Sequence, residues 1–332
     1  QEGPRIKFLG RGKKKGEEGY GQGEVSIAAG DDVLLDEEAM VQRLLATIEA
    51  PDYRPPPLPA VAMELMELSR RPEVDFADVV KLLEQDTMIA GRILKLVQSA
   101  AFSGAQKITS LNDALVRLGI KTLRDLVMEI AMNVKVFKST DYAETMDCLR
   151  KHATATAHLA KTVARYTPME GEFAFMAGLL HDVGIAGTLL ALSEREGPRK
   201  APPGLIAIWP ALDRVHGRAA QVMSEHWKLP AEIQLVVGAH HQVMVQGHAH
   251  PLAAVVCLAD DLAHELGVGV TPKEDAKRVS LSELELDCVR SHTTVDRTGA
   301  KTLEHARTAL QLSDKQMEAV RADAVKVLAT LG

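Results

Sequence analysis

Aromatic residues are scarce in this chain of 332 residues, of which only 4% are Phe, Trp or Tyr. Aromatic side chains favour β-strands, whereas Ala, Leu and Met favour helices, so the shortage argues against a protein built mainly from sheet. Hydrophobic residues make up 46% of the chain and charged residues 25%, values typical of a globular protein with a sizeable core. The composition therefore predicts an all-α fold.

Cysteine is also rare, and the three cysteines, Cys148, Cys257 and Cys288, lie far apart in the sequence. This spacing argues against a zinc knuckle or a redox-active pair, and we expect free thiols in the core of a protein from a reducing compartment. No apolar run is as long as a membrane span, and no signal peptide is visible. The sequence therefore predicts a cytoplasmic protein without a membrane partner.

Positive charge is in deficit, because the formal net charge at pH 7 is -6. A protein of this charge offers no general basic surface, so we do not expect a nucleic-acid partner. Basic residues cluster only near the beginning of the chain, and within residues 1–33 they occur among many glycines. We predict that this stretch is a flexible tail without regular structure, followed by a leading helix over residues 34–50.

An amphipathic pattern of helical period fills residues 52–140, which we predict to be an N-terminal helical lobe. The predicted helices are Pro59–Ser69, Asp75–Gln85, Met88–Ser99, Ser110–Leu118 and Lys121–Val136. Asp75 and Ser110 are residue types that cap helix N-termini, and Gly119 suits a helix end. A second helical lobe is predicted over residues 141–270.

The last part of the chain, residues 271–332, is predicted to be a C-terminal helical extension. It is polar and irregular to about residue 300, and two helices are indicated between Lys301 and Leu331. Ser313 and Asp314 suit the start of the last helix. The sequence gives no indication of chemistry in this extension.

An apolar run that begins at Phe173 ends abruptly at His181 and Asp182, close to Gly184. A segment that is apolar on every side is a buried helix, and a charge at its end would be very costly without a partner. Suitable partners occur at intervals along the second lobe. Imidazoles and carboxylates that converge from several helices can bind one or two divalent ions, so we predict a metal site formed by His152, His181, Asp182, His216, His240, His241 and Asp260.

His152 shares a helical stripe with Leu149 and Leu159, which places it on the inward side of its helix, whereas His158 lies on the polar side. Four other histidines fit no position of the predicted site. We interpret them as surface or capping residues: His226, His248, His250 and His264.

The order His, His-Asp, His, His-His, Asp resembles that of the HD superfamily of metal-dependent phosphohydrolases. The preceding lobe resembles one branch of that superfamily, the HDOD signalling domain, in the sequences from Asp86 to Ala100 and from Ile108 to Gly119. Thr87 and Gln98 depart from the family pattern, which has proline and asparagine there. The resemblance implies an HD-type helical bundle with an N-terminal helical lobe, and a cavity that suits iron, manganese or zinc.

HD-type enzymes that cleave cyclic dinucleotides carry a lysine after His-Asp-x-Gly and a Gly-Tyr-Pro sequence after the histidine pair. Here Ile185 replaces the lysine, and Gln242–Gly247 replaces the second sequence. Loss of a cation beside the cleaved phosphate weakens transition-state stabilisation, which argues against efficient turnover. The resemblance therefore favours a non-enzymatic regulatory module that contacts other signalling proteins and has a nucleotide as a candidate ligand. The alternatives are a metal-dependent phosphodiesterase acting on a nucleotide and a scaffold with an empty cavity.

Overall fold

The computed structural model describes residues 8–10, 21–23, 37–98, 108–169, 171–196, 204–270 and 297–331. The chain divides into two compact units, Gln1–Leu35 and Asp36–Gly332. In the first unit, strand β1 (Phe8–Gly10) pairs antiparallel with β2 (Gly21–Gly23). No regular structure was predicted there from the sequence. Strand pairing uses backbone hydrogen bonds, which glycine can also make, so the glycine content did not exclude it.

The second unit is all-α apart from one short hairpin, within the part that the structure describes. Its first five helices are α1 (Glu37–Ile48), α2 (Ala60–Leu68), α3 (Phe76–Glu84), α4 (Thr87–Val97) and α5 (Leu111–Lys135). Asp75 caps α3 by accepting from the Ala77 amide, and Ser110 caps α5 by accepting from the Asp113 amide, as predicted. Gly119 interrupts α5 with φ 76°, which explains why two helices were predicted from this sequence.

The two family-specific sequences meet at the end of α4. Asp86 accepts a hydrogen bond from the Ile89 amide at 3.0 Å and so caps this helix. At the other end, the amide nitrogen of Gln98 lies 3.4 Å from the carbonyl oxygen of Ile108. Gln98 therefore still connects the two sequences, although the family pattern has a shorter amide there.

The next six helices form the bundle that contains the predicted site. They are α6 (Ala143–Ala164), α7 (Ala174–Leu180), α8 (Val183–Glu196), α9 (Leu205–His226), α10 (Ala231–Gly238) and α11 (Pro251–Glu265). Helix α6 packs against α7 and α11, and α9 packs against α1, α8 and α10. These contacts bring the histidine-bearing helices together.

The segment Ala174–Ser193, which includes α7, is long and apolar enough to cross a membrane by composition, with a mean hydropathy of 1.6. The expectation that no apolar run has this length is therefore wrong. Of its most apolar window, 94% is buried inside the protein. Burial of this kind is that of a core helix, which satisfies the same criteria of length and composition.

A hairpin and two helices complete the described chain. Strands β3 (Met244–Val245) and β4 (His248–Ala249) pair antiparallel, with positive φ at Gln246 and Gly247 in the turn. This hairpin was not predicted from the sequence. Helix α12 (Arg297–Ala309) packs on α11, and α13 (Asp314–Leu331) packs on α6, so the two helices predicted near the C-terminus are present.

The larger core cluster crosses the junction between the predicted lobes. It contains Leu44 of α1, Leu115 of α5, Leu149 of α6 and Leu212 of α9, all without solvent exposure. A second cluster joins α6, α7, α10 and α11 to the last two helices. Continuous apolar packing therefore connects the first five helices to the metal-site bundle.

A buried ionic network also joins α5 to the start of α7. Arg124 is 1% exposed and donates to Asp125 Oδ1 at 2.8 Å and to the Glu172 carbonyl at 2.9 Å. Lys161 of α6 lies 3.6 Å from Asp125 Oδ2. Burial raises the pKa of Asp125 in spite of the two cations beside it. These ionic contacts therefore hold α5, α6 and the start of α7 together.

The cysteines only partly match their prediction. Cys257 on α11 is free, and burial, with Asp260 and Asp261 nearby, raises its pKa to about 12. Cys148 on α6 is disulfide-bonded, so the expectation of a free thiol is wrong at this position. Cys288 lies outside the described residues.

Candidate metal centre

The centre is built around the turn between α7 and α8, which consists of His181 and Asp182. Two glycines allow close packing on either side of this turn. A Cβ atom at Gly178 would lie 2.8 Å from the Thr156 carbonyl oxygen, and one at Gly184 would lie 1.9 Å from the His216 carbonyl oxygen. Glycine at these positions therefore lets α7 approach α6 and lets α8 approach α9.

One group of donors faces Asp182 Oδ2. The Nε2 atoms of His152 and His181 lie 3.5 Å and 3.4 Å from this oxygen, and 3.1 Å from each other. Asp260 of α11 completes the group, because its Oδ1 lies 3.1 Å from His152 Nε2 and 3.6 Å from His181 Nε2. Two helices, α6 and α11, and the turn thus contribute to this half.

A second group faces the other oxygen, Asp182 Oδ1. The Nε2 atoms of His216 and His240 lie 3.5 Å and 3.3 Å from it. His216 Nε2 is also 3.1 Å from His240 Nε2 and 3.0 Å from His241 Nε2. Asp182 therefore lies between two clusters of imidazoles and presents one carboxylate oxygen to each.

Backbone carbonyls orient four of the imidazoles. The Nδ1 atoms of His152, His181, His216 and His240 lie 2.5–2.8 Å from the carbonyl oxygens of Val268, Gly178, Asp213 and Val237, respectively. A carbonyl can only accept, so each Nδ1 must carry the hydrogen. In a neutral ring, the Nε2 lone pair then faces the cavity. Lone pairs that converge on a carboxylate need positive charge between them, from protons or from a metal ion.

The electrostatics of the two carboxylates support this requirement. Burial alone would raise the pKa of Asp182, but His181, His240 and His216 hold that pKa well below its usual value. Burial likewise opposes ionisation of Asp260, and His152, His181 and His264 outweigh it. Both carboxylates are therefore ionised, as metal ligation requires.

The two histidines on the other side of the centre, His240 and His241, both have lowered pKa values. Burial lowers the pKa of His240, and His240 with burial lowers the pKa of His241 to about 3. Both rings are consequently neutral near pH 7 and available as ligands. For His181, burial acts in the same direction, but Asp182 and Asp260 raise its pKa well above the usual value.

One observation that does not depend on the family resemblance indicates that these residues suit a metal ion. Asp260 Oδ1 is buried and has no hydrogen-bond partner among the described residues, although imidazole nitrogens surround it. In a neutral His152 ring the hydrogen is on Nδ1, so Nε2 cannot donate to this oxygen. Three groups of donor atoms could each hold an ion, because the atoms within each group lie within 4.8 Å of one another. The cluster of histidine and aspartate side chains could therefore bind a metal.

The structure brings together all seven residues predicted from the sequence. It adds one that was missed, because His264 Nε2 lies 3.4 Å from Asp260 Oδ1, so its interpretation as a surface or capping residue is wrong. The available signal was its spacing, one helical turn after Asp260 on α11. His250 does cap a helix, since it accepts from the Ala253 amide at the start of α11. His248 is exposed on β4.

The centre has no cationic side chain of its own among the described residues. The ion pairs of Asp182 and Asp260 all involve histidines. Ile185 is 3% exposed and belongs to the larger core cluster. The hairpin that follows the histidine pair buries Val243 and Val245 in the second cluster. Both positions where the related phosphodiesterases differ from this chain therefore serve packing here.

Comparison with known proteins identifies the class of this fold and site. The HDOD domain model matches residues 56–243, more than half of the chain, and the chain therefore belongs to the HDOD family. An uncharacterized protein of Treponema pallidum (strain Nichols) is 26% identical over 264 residues, which cover 76% of this chain and 50% of that protein. The chain thus spans half the length of this relative.

Two solved structures have the same fold. A presumed metal-dependent phosphohydrolase from Shewanella amazonensis SB2B superposes with a TM-score of 0.64 at 19% identity, covering 88% of this chain and 97% of that one. An HDOD domain protein of unknown function from Geobacter sulfurreducens has a TM-score of 0.56 at 20% identity, covering 88% and 99%. These likenesses confirm the predicted all-α HD-type architecture.

Proposed function

We propose that this protein is a non-enzymatic regulatory HDOD module of signal transduction whose bundle would hold two divalent transition-metal ions with the histidine groups on either side of Asp182. One observation carries the proposal: the two oxygens of Asp182 face two separate groups of imidazoles, with Oδ2 towards His152 and His181 and Oδ1 towards His216 and His240. Imidazole-rich donor sets with carboxylates suit iron, manganese or zinc. When bound, such ions would supply Lewis-acid chemistry or a binding position for an anion.

The regulatory role is favoured over catalysis by the surroundings of the centre. Phosphoester cleavage develops negative charge, which enzymes stabilise with cations beyond the metal itself. Ile185 provides none, and it is packed in the core. The ligands themselves match those of HD-type hydrolases, so a metal-dependent phosphodiesterase acting on a nucleotide is the alternative function.

Metal analysis tests the centre. The parent protein, produced without chelator, is expected to carry about two equivalents of transition metal because a preorganised multi-histidine site binds strongly. Asp182→Asn keeps the shape of the side chain but removes the charge shared by both groups, so it should lose both ions. His248→Ala, which alters an exposed histidine outside the cluster, should lose neither. Metal below about a tenth of an equivalent in the parent would refute the centre.

Turnover separates regulation from catalysis. Metal-loaded protein should hydrolyse cyclic dinucleotides and simple phosphodiesters far more slowly than about one per second, the low end for ordinary enzymes. A faster reaction that disappears in Asp182→Asn would establish the phosphodiesterase instead. In that case a nucleotide is the substrate; under the favoured proposal it is at most a ligand.

Partner contact is proposed for the first five helices, which carry the family-specific sequences but no cluster of titratable residues suited to chemistry. Among the described residues, three of the exposed large hydrophobic side chains lie there: Phe76, Met88 and Val116, at 42%, 40% and 66% exposure. Contiguous exposed apolar patches mark interaction surfaces, and these three side chains are the candidates for such a surface on the first five helices. We propose that other signalling proteins bind this region, in the cytoplasm and without a nucleic-acid or membrane partner.

Affinity capture from native cytoplasm tests that surface. Phe76→Ser, Met88→Ser and Val116→Ser should each weaken partner recovery while leaving metal content unchanged. Val325→Ser is the matched control, since Val325 is 54% exposed but lies on α13. If the three variants retain every partner and Val325→Ser loses one, the output surface is on the C-terminal helices instead.

A further inference from the structure

His264 occupies a position that the family order of ligands does not include. It lies on α11 one turn after Asp260, and its Nε2 is 3.4 Å from Asp260 Oδ1. The same oxygen is 3.1 Å from His152 Nε2. The rings of His152 and His264 are 5.0 Å apart between centroids. Two imidazole nitrogens from different helices thus converge on one buried carboxylate oxygen.

The loop after α11 is shaped to hold the His264 ring in this place. A Cβ atom at Gly269 would lie 2.3 Å from His264 Nδ1, so only glycine leaves room for the ring. The preceding residue, Val268, provides the carbonyl oxygen that lies 2.6 Å from His152 Nδ1. A single short loop therefore positions both imidazoles that approach Asp260 Oδ1.

We propose that His264 is a direct ligand of the metal ion held by His152 and Asp260. The inference rests on the proposed two-ion centre and deepens it. His152, Asp260 and His264 present donor atoms within 4.8 Å of one another, as a ligand set requires. Asp260 Oδ1 has no hydrogen-bond partner among the described residues, so a bound cation would satisfy an oxygen that is otherwise costly to bury.

This ligand makes the two halves of the centre unequal. Two donor groups on this side share His152, namely His152 with Asp260 and His264, and His152 with His181 and Asp182, whereas the other side has the single group of Asp182, His216, His240 and His241. The residue His241 keeps accessible surface although its imidazole is partly enclosed, while His152 and His181 have no exposed surface. The ion beside His264 is therefore the more enclosed one, and removal of His264 should affect it selectively.

A hydrogen-bond role must be separated from a ligand role. Glutamine at 264 could still donate a hydrogen bond towards Asp260, but its amide is a poor ligand for a transition metal compared with imidazole. Mn²⁺ binding to apo-protein would be measured by equilibrium dialysis for the parent, His264→Ala, His264→Gln and the control His248→Ala. Visible absorption of Co²⁺-loaded protein gives a second readout, since it depends on the atoms bound to the ion.

The expected result is two Mn²⁺ per parent chain and a loss of at least about tenfold in affinity for one of them in both His264 variants, because loss of even an indirect partner typically costs tenfold or more. The other ion and the control should be unchanged, and the Co²⁺ spectrum should change in both variants. His264→Gln that binds like the parent would overturn the ligand role. A parent that binds fewer than two ions would overturn the two-ion centre as well, so the two failures are distinguishable. If His264→Ala does not fold, His264→Gln alone decides the question.

Discussion

Gly184 packs directly against the main chain of His216, because a Cβ atom at position 184 would lie only 1.9 Å from the His216 carbonyl oxygen. That contact sets the approach of α8 to α9. It also sets the distance between Asp182, two residues before Gly184, and the His216 ring, whose Nε2 is 3.5 Å from Asp182 Oδ1. The close packing of α8 on α9 therefore also determines the geometry of the metal site at this point.

Gly184→Ala should consequently damage both stability and metal binding. The added methyl group meets backbone rather than a flexible side chain, so the helices must separate, and overpacking of this kind costs about 1–3 kcal/mol or more. Urea denaturation should detect the loss of stability, and elemental analysis should show reduced metal. Gly91→Ala is the matched control.

Position 91 is exposed within α4 and has open space for a Cβ atom. Alanine there should leave metal unchanged and stabilise the protein by up to about 1 kcal/mol, because alanine is the better helix former. A Gly184→Ala protein with full metal content and normal stability would contradict the proposed coupling between packing and the centre.

The ionic network at Arg124 provides a second prediction. Arg124→Met removes the partner of a buried carboxylate, Asp125, and leaves that carboxylate without adequate compensation. Breaking one side of a buried ion pair costs about 3–5 kcal/mol. The double variant Arg124→Met with Asp125→Asn should recover part of this loss, since it no longer buries an unpaired charge. Urea denaturation of the two variants checks the order, and equal stabilities would show that the pair is not coupled.

The helices and the ligand set could be predicted from the sequence because their signals are local. Asp75, Ser110 and Gly119 mark helix boundaries through backbone chemistry that depends only on neighbouring residues. The metal residues were predicted from inward-facing histidines and from the resemblance to the HD superfamily, and the structure brings them together.

Features that depend on tertiary packing could not be predicted. The sequence does not indicate that the two oxygens of Asp182 face different imidazole groups, because the direction of the carboxylate follows from the packing of α8 on α9. His264 was missed since its role depends on the path of the loop that contains Val268 and Gly269. The β3–β4 hairpin was missed because strands of two residues give almost no periodic signal.

Metal affinity should fall as the pH is lowered, earlier than for ordinary histidine ligands. Burial opposes protonation of His181 and His264, but Asp182 and Asp260 raise the pKa of His181, and Asp260 raises that of His264. A protonated ring cannot bind an ion, so protons compete with the metal below these raised pKa values. Competition between protons and the metal ion therefore begins above about pH 6.5, the ordinary pKa of histidine.

Mn²⁺ titrations between about pH 5 and 8.5 should show affinity falling roughly tenfold per pH unit for each proton displaced. His248→Ala supplies the control, since its metal affinity should change with pH as that of the parent does. Affinity that stays constant down to about pH 6 would contradict the assignment of His181 as a ligand with a raised pKa.

If one missing cation were all that separates this chain from the related phosphodiesterases, Ile185→Lys would create phosphodiesterase activity in metal-loaded protein. We expect that it does not. Ile185 is 3% exposed and packs in the larger core cluster, so a lysine there must either bury its charge or disrupt the packing. The variant should lose at least about 2 kcal/mol of stability, and its turnover of simple phosphodiesters should stay well below about one per second. Ile185→Leu, which preserves volume, should cost less than about 1.5 kcal/mol and controls for repacking. A stable Ile185→Lys protein with metal-dependent turnover would instead mean that the bundle is a hydrolase inactivated by a single residue.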